Sequence, residues 1–179
     1  MQNLSLFRLP PKFRGRSAFI VQLWWIIQAL LFNTSPQFLY SYRCWLLRIF
    51  GAKIGKNVLI RPSVKITFPW KLTIGNSAWI GDEVVLYTLG DIYIGDNSVI
   101  SQRSYLCAAD HDYTEISFPI RAKPIRIEKE VWVATDVFVG PSVHLGVGCV
   151  IAARSSVFKD MPNSFVCMGN PCKPLKPRF

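Results

Sequence analysis

The chain has 179 residues, half of them apolar, and a formal net charge of +10. That is one domain's worth of sequence with enough apolar material for a sizeable core, which excludes a disordered chain. Five cysteines, odd in number and with no C-x-x-C pair, point to a reducing cytosol and exclude a disulfide framework or a zinc site.

The charge is unevenly distributed. Met1 to Gly81 contains no acidic residue against eleven basic ones, whereas the remainder carries ten basic and eleven acidic residues. Basicity therefore belongs to the N-terminal part and predicts a partner or surface of negative charge there. Nucleic acid is disfavoured, because the basic residues are not interleaved with exposed aromatics along repeated strands.

Met1 to Arg16 is polar, basic and broken by Pro10 and Pro11, which predicts an extended arm. Ser17 to Phe32 is an apolar run with Ser17 as its N-cap, followed by NTSPQ and a second helical segment from Gln37 to Phe50. The run is shorter than the ~20 residues of a membrane span, and Gln22 and Gln28 interrupt it. No small-x-small cleavage site follows, so a signal peptide is disfavoured too. Two roles remain, and they are compatible. The helices can cover an open end of the fold, or Trp24, Trp25 and neighbouring apolar residues can dip into a membrane interface while the flanking arginines meet anionic headgroups.

From Ile54 a six-residue period begins: Ile54, Ile60, Ile66, then Ile74, Ile80, Leu86, then Ile94, Ile100, Leu106. It returns as Ile127, Val133, Val139, Leu145, Ile151 and Val157. Neither a helix nor an ordinary strand keeps an apolar residue at every sixth place, but a coil with three short strands per triangular turn does. The residue opening each block then points to the axis, and restarts twenty residues apart (Ile54, Ile74, Ile94) mark successive turns. The expected fold is an all-β solenoid, a parallel β-helix of about five triangular turns, preceded by a helical segment. Bends fall at Asn97, Asp136, Gly140, Gly146 and Gly148, and the IGN and IGD openings place a side-chain-free residue at a crowded corner.

Between Leu106 and Ile127 the period fails, which predicts an excursion loop over 107–126. The division is then 1–50, arm and helices; 51–179, solenoid, with that loop and a C-terminal tail over 161–179. His111 lies in the loop between Asp110 and Asp112. An imidazole is suited to taking a proton from a hydroxyl near neutral pH, and an adjacent carboxylate such as Asp112 can hold its tautomer. The other histidine, His144, reads as a face residue of the late turns. Two histidines without a His/Cys cluster argue against a metal enzyme of the γ-type carbonic anhydrase kind.

The excursion bearing ADHDY with FP after it, the run KPIRIEKEVWVATDVFVGPSVHLG and the closing CMGNPCKPLK resemble the hexapeptide-repeat acyltransferases. Within these the chain is similar to the colanic acid biosynthesis acetyltransferases, and more distantly to galactoside, maltose and nodulation acetyltransferases. The resemblance covers Ile54 to the end closely, whereas the basic N-terminal helices fit only the colanic-acid-type branch. It implies a left-handed coil, a homotrimer, and acetyl-CoA as acyl donor in a groove between neighbouring prisms, with no metal. It assigns His111 as general base, the backbone amide of Thr135 as oxyanion donor and Trp132 as a wall of the site. Ala134, Ala153 and Arg154 would line the pantetheine path, and Lys159, Lys173 and Lys176 would meet the coenzyme's phosphates. Ala153-Arg154 departs from the Ala-Gly of many relatives. For the acceptor, Glu83, Tyr87 and Asp91 stand within reach without a choice among them.

The expected activity is O-acetylation of a sugar hydroxyl in exopolysaccharide synthesis on the cytoplasmic side, with an acceptor carried on lipid. The alternatives are an acetyltransferase for small molecules or amino sugars, and a non-catalytic β-helix scaffold.

Overall fold

A computed structural model describes residues 2–179. Helix α1 spans Ala18–Ile27 and continues as a wider, π-type turn over Gln28–Phe32. The Ser17 hydroxyl accepts from Ile20 N at 3.4 Å, the N-cap expected of it. Helix α2 spans Tyr40–Ile49, shorter at its start than 37–50 because Gln37 to Leu39 form the turn that leads into it.

The rest is a three-faced parallel prism. The first face stacks Lys53–Ile54, Leu72–Ile74, Ile92–Ile94, Ile125–Ile127 and His144–Leu145. The second stacks Leu59–Ile60, Trp79–Ile80, Val99–Ile100, Trp132–Val133, Val150–Ile151 and Phe165–Gly169, and Cys172–Pro177 pairs antiparallel at its edge. The third stacks Lys65–Ile66, Val85–Tyr87, Tyr105–Cys107, Phe138–Val139 and Ser156–Val157. Five turns are complete. A sixth begins with the bridge from Leu145 to Met161 and the strand Phe165–Gly169.

The six-residue register is the structural register. Ile54 lies opposite Ile74, Ile74 opposite Ile94, Ile94 opposite Ile127 and Ile127 opposite Leu145. The block-opening residues of all three faces are buried along the axis, apart from half-buried Ile54 at the open end. Burial of each such side chain contributes about 1.5–3 kcal/mol, which is why a restart after an insertion falls back into the same column. Ser98 and Ser104 join the turns on either side of the excursion. Ser98 Oγ donates to Glu128 O at 2.9 Å, and Ser104 Oγ donates to Ala134 O at 2.8 Å.

The corners use left-handed backbone at Asn97 (φ 56°) and Asp136 (φ 58°), as expected of these residue types. Gly75 is needed for a different reason. A Cβ there would stand 2.7 Å from Asp96 N, so this glycine serves close approach rather than positive φ.

The helices close the first turn on all three faces, where strand edges would otherwise be unpaired. Arg48 Nη2 donates to Ile54 O at 3.0 Å on the first face, and Arg43 Nε donates to Ile60 O at 2.7 Å on the second. On the third, Trp24 Nε1 donates to Ile66 O at 2.8 Å while Gln28 Oε1 accepts from Ile66 N at 2.7 Å. This corrects the membrane assignment of Trp24, and Arg43 is likewise turned inward. Both are fully buried, and the Arg43 guanidinium also donates to Ser35 Oγ, Pro36 O and Gln37 O. Gln28, read as an interruption of an apolar run, is a strand-edge cap. No helix among the described residues is long and apolar enough to cross a membrane.

Candidate active site

The excursion is a β-hairpin: Ala109–His111 pairs antiparallel with Ile120–Ala122, so that His111 faces Ile120 and Asp110 faces Arg121. It leaves the prism at the corner between the third and first faces, where the Ala108 carbonyl accepts from Gly90 N and Lys123 N, both at 3.0 Å. The hairpin base packs on Phe68, Leu89 and Val21.

His111 is half-buried, and its Nδ1 lies 2.9 Å from the Phe118 carbonyl oxygen. A carbonyl only accepts, so Nδ1 carries the proton and the neutral ring keeps its lone pair on Nε2. The Phe118 ring stacks on the imidazole at 4.2 Å and 7°, and Phe7 of the N-terminal arm lies at 6.1 Å and 49°. Phe118 holds φ +48°, an outlying conformation for a bulky residue, and thereby presents both its carbonyl and its ring to one histidine. The arm is tied down beside it by Asn3 N donating to Ile116 O at 2.7 Å.

The tautomer is thus held by a backbone carbonyl, contrary to the expectation for Asp112. Asp112 accepts from Thr114 N at 3.0 Å, Thr114 Oγ1 at 2.6 Å and Arg121 Nη1 at 2.9 Å. Asp110 takes the bidentate fork of Arg121 at 2.7 and 2.9 Å. Hydrogen bonds from Thr114, with Arg121 behind them, hold the Asp112 carboxyl below its ordinary range, and Arg121 does the same for Asp110. These carboxylates brace the hairpin. Arg121 was missed from the sequence. The pairing of ADH with IRA signals the cross-strand pair only once the excursion is known to be a hairpin.

On the second face, Trp132, Ala134, Thr135 and Ala153 do come together, lining a groove of about 490 Å³ with Ser101, Gln102, Val150 and Ala152. Trp132 is half-exposed and its Nε1 donates to Ser101 Oγ at 3.0 Å. Thr135 Oγ1 donates to Gln102 O, and the Thr135 carbonyl accepts from Arg154 N, both at 3.0 Å. No acceptor among the described residues takes the Thr135 amide N–H. Arg154 sits at the next corner with φ +59°, a left-handed conformation that glycine adopts more readily than arginine. Its exposed guanidinium points to Asp136, with Nε 3.8 Å from a carboxylate oxygen that Arg103 also holds. The groove runs on past Ser101 and Gln102 into a hollow of about 560 Å³ lined by Tyr40, Arg61, Trp79, Glu83 and Arg103.

Lys173 and Lys176 are exposed on the antiparallel edge strand, opposite Met168 and Val166, and Lys159 is exposed after the last complete turn. None of the three is in an ion pair among the described residues. Glu83 lines the second-face hollow. Tyr87 and Asp91 do not, because Tyr87 lies on the third face against Tyr105 and Asp91 beside Lys71 and Pro124. His144 is a face residue, as expected, with Nε2 3.0 Å from Glu128 Oε1. Along the chain the third face separates Thr135 from the hairpin, so one chain alone does not bring His111 into the groove.

A parallel β-helix coiled from six-residue repeats, preceded by a short helical segment, is the fold of the hexapeptide-repeat acyltransferases. No protein-family model matches the chain. It is 60% identical over 178 residues, 99% of this chain and 98% of the relative, to WcaF of Escherichia coli strain K12, provisionally named a colanic acid biosynthesis acetyltransferase. It is 28% identical to the galactoside O-acetyltransferase of the same organism, over 81% of this chain and 73% of that one. Among solved structures, a hexapeptide-repeat acetyltransferase of Vibrio cholerae complexed with acetyl coenzyme A matches with TM-score 0.83, 27% identity and 92% of both chains. The chain belongs to the hexapeptide-repeat acetyltransferases, in the branch that contains WcaF.

Proposed function

We propose that this acetyltransferase moves acetyl from acetyl-CoA to a sugar hydroxyl of a colanic-acid-type exopolysaccharide, with His111 as general base. One observation carries the reading: the Phe118 carbonyl holds the Nδ1 proton of His111 and leaves Nε2 free to accept one. The acceptor oxygen attacks the thioester carbonyl as its proton passes to Nε2. Charge develops on the carbonyl oxygen, and the Thr135 amide, a preorganised donor, stabilises it. Collapse breaks the C–S bond, and the coenzyme A thiolate takes the proton back from the imidazolium, leaving the ester and free thiol.

The groove suits the donor. Ala134 and Ala153 leave room for a pantetheine chain against Trp132, Arg154 stands at its edge, and Lys159, Lys173 and Lys176 offer unpaired cations for phosphates. Separation of His111 from the groove within one chain favours a homotrimer in which the hairpin of one copy meets the groove of the next. Segment 1–50, of which Met1 lies outside the described residues, acts as the cap of the solenoid. The same reading places the enzyme at the cytoplasmic face of a membrane, where lipid-carried saccharide intermediates lie. Asp112 takes the part of a positioning residue, through Arg121 and the hairpin.

The test is thiol release from acetyl-CoA with fucosyl, galactosyl and glucosyl acceptors, free and lipid-linked, for the native protein and His111→Ala. Acceptor-dependent release that falls about 100-fold or more in the variant supports the reading. Equal release from both proteins would exclude His111 as the base, and an amine-linked product would move the activity to amino sugars.

A further inference from the structure

We propose that the outer face of α1 and α2 is a docking surface for a bilayer with anionic headgroups. The proposal deepens the membrane placement above by naming the surface that makes the contact, and its test does not require acetyl transfer.

Helix α1 is apolar on two sides. Its inner side, with Val21, Trp24 and Phe32, covers the first turn of the prism. Phe19, Ile26 and Leu30 recur at spacings of seven and four, which puts them on one stripe of the opposite side, and they are 72%, 54% and 64% exposed. Gln22 is the polar exception on that side, and a helix whose outer stripe is otherwise apolar calls for protein or lipid there as well as on its inner side. Helix α2 repeats the arrangement. Cys44 and Leu47 face the prism, while Trp45 and Ile49, one turn apart, are 54% and 57% exposed, and Phe38 just before the helix is 76% exposed. Six large apolar side chains thus face solvent at one end of the molecule, a concentration that soluble surfaces seldom carry without a partner.

Charge identifies the partner. Arg14 and Arg16 directly precede α1, and Lys53, Lys56 and Lys65 belong to the first turn under the helices. All five are exposed and none is in an ion pair among the described residues. The first acidic residue of the chain, Asp82, is held by Arg61 at 2.7 Å. Bulky aromatic and aliphatic side chains bordered by unpaired cations are the chemistry of a helix lying in the interface of an anionic bilayer. A second copy of this chain fits poorly, because two such faces brought together would juxtapose two sets of like charges.

The experiment is flotation of the full-length protein with vesicles of equal parts phosphatidylglycerol and phosphatidylethanolamine, and with phosphatidylcholine vesicles, at low and high salt. Phe19→Ser/Leu30→Ser/Trp45→Ser removes exposed apolar groups only, and Lys53→Glu/Lys56→Glu reverses two charges. The native protein is expected to float with the anionic vesicles and to be released by salt. Each variant should partition at least ~10-fold more weakly, the equivalent of ~1.4 kcal/mol, with an unchanged melting temperature. Native protein that stays with the lipid-free fraction at low salt overturns the proposal, as do variants that float like the native chain. So does a lipid-free assembly that the serine variant reduces in mass, since the face would then be covered by another copy. Vesicle binding without acetyl transfer would count against the enzymatic reading and leave the surface standing.

Discussion

Phe118 offers a sharp test of how the base is held, because one residue supplies a ring, a carbonyl and a strained backbone to the same imidazole. Stacking of this kind contributes ~0.5–1.5 kcal/mol, and the hydrogen bond to the carbonyl a further ~0.5–1.5 kcal/mol. Phe118→Ala removes the ring and keeps the left-handed backbone, so the loss of the productive ring pose should lower kcat by about 2- to 12-fold. Phe118→Gly also frees the peptide to rotate. Both holds are then lost, ~1–3 kcal/mol together, and kcat should fall by about 5- to 150-fold. The same substitution relieves backbone strain of order ~1 kcal/mol, so stability against urea should hold or rise while activity falls. The KM for acetyl-CoA should not move, because Phe118 acts on the His111 ring and is not among the residues that line the donor groove. Steady-state thiol release and urea titrations of both variants read all of this. A Phe118→Gly enzyme with native kcat, alongside an inactive His111→Ala, would refute the argument that Phe118 sets the tautomer.

Two further perturbations test the scaffold. Arg43→Ala removes four hydrogen bonds from a buried guanidinium, including the one that caps Ile60 O, and should cost about 3–5 kcal/mol in urea unfolding; a cost below about 1 kcal/mol would mean that water replaces the arginine at the prism edge. Arg121→Gln should lower stability at neutral pH only slightly, since the pair with Asp110 is partly exposed. The folded pKa of Asp110 lies below its unfolded value of about 3.9, so its contribution is present above that pH and is lost as pH falls through the folded value. Native and variant acid-unfolding curves should therefore converge at low pH, and a gap that persists there would point to packing rather than charge.

The period of six by itself determined the prism, its turn count and the register of every axial residue. A column of Ile, Val and Leu tolerates no other phase without exposing itself, so the pattern survives the restarts at Ile74 and Ile94 and the break before Ile127. The break also located the hairpin and His111. Only the tertiary structure decided how that histidine is held, because the Phe118 carbonyl comes from seven residues away and a backbone acceptor leaves no mark in composition. For the same reason Asp112 looked like the partner of His111 when it is the partner of Arg121 and Thr114. The N-terminal helices show the division most plainly. Their apolar and basic character was legible in the sequence, but which side met the prism was not: apolar groups on both faces of α1 give no amphipathic phase to read. Packing against the open turn sorted them, turning Trp24, Gln28 and Arg43 inward to unpaired strand edges and leaving Phe19, Leu30 and Trp45 outside.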